Sequence, residues 1–115
     1  MMDEKEAQYV AGLIDARGTI QYYNDLVNVS LKMEGDMPRI LHQRYGGSFI
    51  RIQSYRHRKV FGWWRIYGIT AVRFLKEMLP YLRRHKEEAK DIIKRNEKRE
   101  QSLELARMKG RKRHP

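Results

Sequence analysis

The apolar and polar positions change period several times along the chain, and each change predicts an element. Residues 3–16 carry helical spacing, with Asp3 as N-cap, Glu6 three positions later as in a capping box, and Gly18 as the stop. Residues 19–24 (TIQYYN) alternate and predict a strand, and Asn24-Asp25 is a turn signal. Residues 26–33 alternate clearly: Val27, Val29, Leu31 and Met33 point one way, Asn28, Ser30 and Lys32 the other. These two strands should form a hairpin. A short helix follows, with Asp36 as cap, Pro38 in the first turn and Gly46-Gly47 at its end.

The second half repeats the order. SFIRIQSY reads as a third strand, with Ile50 and Ile52 on one face and Phe49, Arg51 and Gln53 on the other. A basic loop, RHRK at 56–59, leads into a fourth strand, which sets Val60, Trp64 and Ile66 against Phe61, Trp63, Arg65 and Tyr67. The adjacent tryptophans must then split, Trp64 to the core and Trp63 to the other face. Thr70 is expected to cap a helix that Pro80 ends, and a last helix should start near Arg83 with Ala89, Ile92 and Ile93 on one side.

Helix, two strands, helix, two strands, helix, helix is the order of an α+β domain: a four-stranded antiparallel sheet with helices on one face. The domain is expected over 1–96. Residues 97–115 form a charged extension whose last ten residues, ARMKGRKRHP, hold five basic residues and no acid. The sheet face turned from the helices should carry Gln21, Tyr23, Asn28, Ser30, Lys32, Arg51, Gln53, Trp63 and Arg65, with Arg56, Arg58 and Lys59 at the hairpin tip. Amides, hydroxyls and guanidinium groups of this kind hydrogen-bond base edges and phosphates.

Charge gives that face a partner. Lysine and arginine number 25 against 14 acids, a formal net charge of +11, and a surface this basic points to a polyanion. Nucleic acid suits it better than an anionic membrane, because the basic residues are spread among aromatics and not gathered on one amphipathic helix. With no cysteine, disulfides and thiolate metal sites are excluded. His42, His57, His85 and His114 have no metal-ligand spacing. No apolar run is long enough for a membrane span, and MMDEKEAQ does not read as a signal peptide, so an intracellular protein is expected.

The first helix also contains a small-residue stripe. Gly12 and Ala16 are four apart, with Ala11 beside them. Such spacing lets two backbones approach closely, either a second copy of the same helix or the chain's own sheet. VAGLIDARG, residues 10–18, resembles the LAGLIDADG motif of homing endonucleases and matches it at seven of nine positions. RYGGSF is similar to that family's glycine-rich turn into the third strand. WWRIYGITAVRFLKEMLPYLRRHKEEA resembles the second hairpin and closing helices of its small, single-motif phage and organelle members. The likeness runs over roughly residues 7–95 and leaves out the basic tail.

The resemblance implies a homodimer on duplex DNA, with Ala11, Gly12, Asp15 and Ala16 of the helix 3–16 at the two-fold axis and the sheets in the major groove of a long pseudo-palindromic site. It implies that an acid at the eighth motif position binds Mg²⁺ at the strands to be cut, and that a basic residue near the start of the last helix assists. Here the eighth position is Arg17, and the basic position falls on His85, with Arg84 or Lys86 as alternatives. A guanidinium has donors only and stays charged, whereas Mg²⁺ needs oxygen ligands. The expectation is therefore sequence-specific binding of double-stranded DNA with Mg-dependent cleavage lost or impaired, no cofactor, and no metal bound by this chain. An active nuclease with a rearranged metal site, an RNA-binding intron maturase and a sequence-indifferent DNA-coating protein are the alternatives.

Overall fold

The computed structural model describes residues 3–56 and 58–112. Its elements are α1 (Glu4–Arg17), β1 (Gly18–Tyr23), β2 (Leu26–Glu34), α2 (Met37–Tyr45), β3 (Ser48–Ser54), β4 (Lys59–Tyr67), α3 (Gly68–Met78) and α4 (Lys86–Lys112), with a single 3-10 turn at Leu79–Tyr81. The strands form one antiparallel sheet in the order β1-β2-β4-β3. The helices pack on one of its faces and leave the other open.

Local chemistry accounts for the boundaries. The Asp3 carboxylate accepts from the Glu6 amide at 2.8 Å and caps α1. The Glu6 side chain pairs with Arg44 of α2, so only half of the expected capping box forms. Gly18 ends α1 in extended conformation; a Cβ there would stand 2.8 Å from the Ile14 Cα, so the position needs the space of a glycine, not its backbone freedom. Asn24 and Asp25 both take positive φ, 51° and 61°, and make the two-residue turn that matches the twist of the β1–β2 hairpin. α3 starts at Gly68, φ 62°, two residues before the expected cap Thr70, with Tyr67 as its N-cap.

The core lies between sheet and helices. Val27, Val29 and Leu31 of β2 and Trp64 and Ile66 of β4 meet Val10 and Ile14 of α1, Leu41 of α2 and Phe74, Leu75 and Met78 of α3, all fully buried. The Trp64 indole N–H donates to the Gly46 carbonyl at 3.0 Å, which satisfies the one polar atom this ring brings inside. Phe74 meets the edges of both Trp64 and Tyr45. The Tyr45 hydroxyl donates to Glu77 at 2.9 Å. Burial and that neighbouring carboxylate push the phenol well above its ordinary pKa.

α4 runs without a break across the expected boundary at 96/97. The packing stops there instead: Ala89, Ile92 and Ile93 are buried, Asn96 and Arg99 half-buried, and residues 100–109 exposed. The projecting turns account for the elongated outline, 64 × 30 × 22 Å. Among the described residues no helix is long and apolar enough to cross a membrane.

Candidate nucleic-acid interface

Directly paired residues in an antiparallel sheet share a face, so the register fixes what the open surface presents. Thr19 pairs with Ser30, Gln21 with Asn28 and Tyr23 with Leu26. Ser30 pairs with Arg65 and Lys32 with Trp63. Gln21, Tyr23, Asn28, Ser30, Lys32, Trp63 and Arg65 therefore share one surface, as the alternation predicts. All but Lys32 line a shallow groove, joined by Thr19, which the expected set lacked although it begins the same alternation.

Two cations bracket the Trp63 ring. The Arg65 guanidinium lies 4.6 Å from its centroid and Lys32 Nζ 5.8 Å, and Arg65 also approaches Tyr67 at 5.8 Å. Stacking restrains the guanidinium while its N–H edge stays available, an arrangement suited to bidentate acceptors such as guanine or phosphate. Asn28 bonds locally, its amide donating to the Leu26 carbonyl at 3.1 Å.

Arg51 and Gln53 are a correction. Phe49 pairs with Trp64, Arg51 with Gly62 and Gln53 with Val60, which puts all three β3 residues on the helix side of the sheet. Ile50, opposite Trp63, and Ile52, opposite Phe61, take the open face instead. The four-residue connection 55–58 fixes this parity, because Ser54 closes the hairpin against Lys59. β3 is an edge strand that α2 covers only at its start. There Phe49 stacks on His42, centroids 5.8 Å apart, whereas Arg51 and Gln53 lie beyond that cover, exposed.

At the hairpin tip Arg56 and Arg58 are exposed, Arg58 in left-handed conformation, and Lys59 forms an exposed pair with Glu34 at 3.4 Å. His57 lies outside the described residues.

The small-residue stripe of α1 divides. Ala11 is fully buried in the chain's own core, which removes it from any exposed seam and corrects its expected place there. Gly12 and Ala16 are exposed, and a Cβ at Gly12 would meet no atom within 4 Å. Among the described residues nothing requires that glycine, although a mid-helix glycine costs about 1 kcal/mol relative to alanine. Asp15 is half-buried and turned inward: its two oxygens accept from the Arg83 amide at 2.7 Å and the His85 amide at 3.0 Å. It thus ties the end of α1 to the connection before α4. Beside Gly12 and Ala16 opens a cleft of about 850 Å³ whose far wall bears Arg83, Arg84 and Lys86.

Arg17 is exposed in the last turn of α1, where its charge complements the helix dipole. Among the described residues it has no ion-pair or hydrogen-bond partner. His85 precedes α4, its carbonyl accepting from the Ala89 amide and its Nδ1 lying 2.9 Å from Glu88 Oε2, so the ring is engaged within its own chain. Position 17 does not fit Mg²⁺, because a guanidinium offers donors only, and each Asp15 oxygen already accepts one backbone amide. Among the described residues no group of three His, Cys, Asp or Glu could hold a metal ion.

No protein-family model and no curated protein matches the sequence. Solved structures do match. The chain superposes on the homing endonuclease I-CvuI in complex with the I-CreI target, with TM-score 0.54, 19% identity and 79% of the chain aligned. It also superposes on I-CvuI in complex with its own target, with TM-score 0.55, 18% identity and 78% of the chain aligned. The fold is the homing-endonuclease fold. The chain covers about two thirds of that enzyme's length, 65% and 64% in the two complexes. The first, with 2 mM Mg, has its DNA not cleaved, and the second contains 2 mM Ca.

Proposed function

We propose that this chain binds duplex DNA sequence-specifically through the open face of its sheet, as two copies related by a two-fold axis along α1, and that Arg17 leaves it without effective Mg-dependent cleavage. The observation that carries the reading is the open face itself. It presents Thr19, Gln21, Ser30, Lys32, Trp63 and Arg65 uncovered, on a chain of net charge +11, in a fold shared with an endonuclease solved on its DNA target. Donors and acceptors distributed along several strands suit base edges in a major groove.

Pairing of copies is supported by exposed Gly12, where a Cβ would meet none of the described atoms of its own chain. In that arrangement one Arg17 from each copy sits beside the central phosphates. There guanidinium donors neutralise charge without activating water.

The test is incubation of the unmodified chain and Arg17→Asp with a selected duplex and Mg²⁺. The chain should bind and leave the duplex intact, and the variant should gain cleavage. Cleavage by the unmodified chain overturns the loss of chemistry, and preferential binding of structured RNA redirects the reading to a maturase.

A further inference from the structure

An edge strand gains most by turning its apolar side chains toward the core, and beyond Phe49 β3 does the opposite. It sends Arg51 and Gln53 to the helix side and Ile50 and Ile52 to the open face. Ile50 is 47% exposed. Across the β3–β4 ladder it pairs with Trp63, and Ile52 pairs with Phe61, so an apolar strip runs along one half of a surface whose other half is mostly polar, Tyr23 and Leu26 at its hairpin end apart. Cations flank the strip: Lys32 and Arg65 on the Trp63 ring, and Lys59, Arg56 and Arg58 toward the hairpin tip. An apolar strip bordered by cations suits a partner that is anionic at its rim and methyl-bearing at its floor. The major groove of duplex DNA meets that description wherever thymine presents its 5-methyl group between phosphate backbones.

We propose that Ile50 and Ile52 are specificity residues that read thymine methyl groups, so the β3–β4 half of the face recognises its bases by apolar contact while the β1–β2 half does so by hydrogen bonds. This rests on the duplex-binding reading above. β3 is an edge strand, so the contacted base pairs lie together on one side of the stretch read by a single copy.

The experiment uses the full chain and a duplex selected from a random pool. Each thymine is replaced in turn by deoxyuridine, which deletes the methyl and keeps the pairing edge. Affinity is read by fluorescence anisotropy at fixed salt. One or two adjacent thymines should each lose about fourfold in affinity, the worth of one buried methyl. Because Ile50 is exposed, Ile50→Ser should fold as the parent does and should abolish the uridine penalty at one of those thymines. The uridine series alone keeps the test independent of any variant. Uridine tolerated everywhere, or a penalty unchanged in both Ile50→Ser and Ile52→Ser, overturns the methyl reading and leaves duplex binding standing. If no duplex is selected, both readings fall.

Discussion

The two faces of this sheet are made from the same four strands and obey different constraints. The helix-side face is closed: Val27, Val29, Leu31, Trp64 and Ile66 are all fully buried, and their polar needs are met inside the chain, as when the Trp64 indole reaches the Gly46 carbonyl. The open face satisfies only part of itself, through cation–aromatic stacking of Arg65 and Lys32 on Trp63, and its remaining donors look outward. The same division runs along α1, where Ala11 and Ile14 are buried and Gly12 and Ala16 stand clear. Stability and recognition are thus assigned to opposite sides of each element, so substitutions on the two sides should have separable effects.

The largest expected effect is on the closed side. Trp64→Ala empties the centre of the core and should cost about 3–5 kcal/mol of stability, measured by urea unfolding. A cost below about 1 kcal/mol would mean that this face is not the core. Gly12→Leu should leave stability within about 1 kcal/mol, because position 12 is exposed and a Cβ there would meet none of the described atoms within 4 Å. It should nevertheless eliminate the two-copy complex in sedimentation on DNA; full pairing by the variant would move the two-fold axis away from α1.

Arg65→Ala on the open side should change stability by less than about 0.5 kcal/mol. It should weaken the selected duplex by about 1–3 kcal/mol if the guanidinium reads a base. Uniform weakening across all sequences, with a shallower salt dependence, would assign it to phosphate instead.

The smallest effect concerns the half-buried Tyr45 phenol. Tyr45→Phe loses a hydrogen bond worth about 1 kcal/mol at neutral pH. Because the folded state holds the Tyr45 phenol above its ordinary value, both states are protonated below about pH 10 and the contribution is fully present there. Above that the unfolded chain ionises first, and the contribution drains away as pH rises toward the folded pKa. Thermal melts of parent and variant should therefore converge above pH 10; a constant difference would show that burial does not perturb this group.

Legibility in the sequence followed the same division of faces. β2 and β4 were readable because they are central strands covered on one side only, so alternation maps directly onto burial. The end of α1 is legible in Gly18, where a Cβ would crowd Ile14, although only the folded packing separates Gly12 outside from Ala11 inside. The orientation of β3 is not legible from hydrophobicity, because hairpin parity decides it and α2 covers too little of the strand to compensate. Asp15 gave no signal of its own. Its partners are backbone amides 68 and 70 residues away, and no residue type announces such a bond. The reach of α4 was missed because turns that bury nothing have no periodicity to detect.

On this reading the open face recognises sequence in duplex DNA as a two-fold pair. Selection of bound duplexes from a random pool by the full chain at physiological salt tests it most directly. The prediction is strong enrichment of one long site with approximate two-fold symmetry and two copies bound. A pool that stays random, or an enriched site without symmetry bound by one copy, would contradict it.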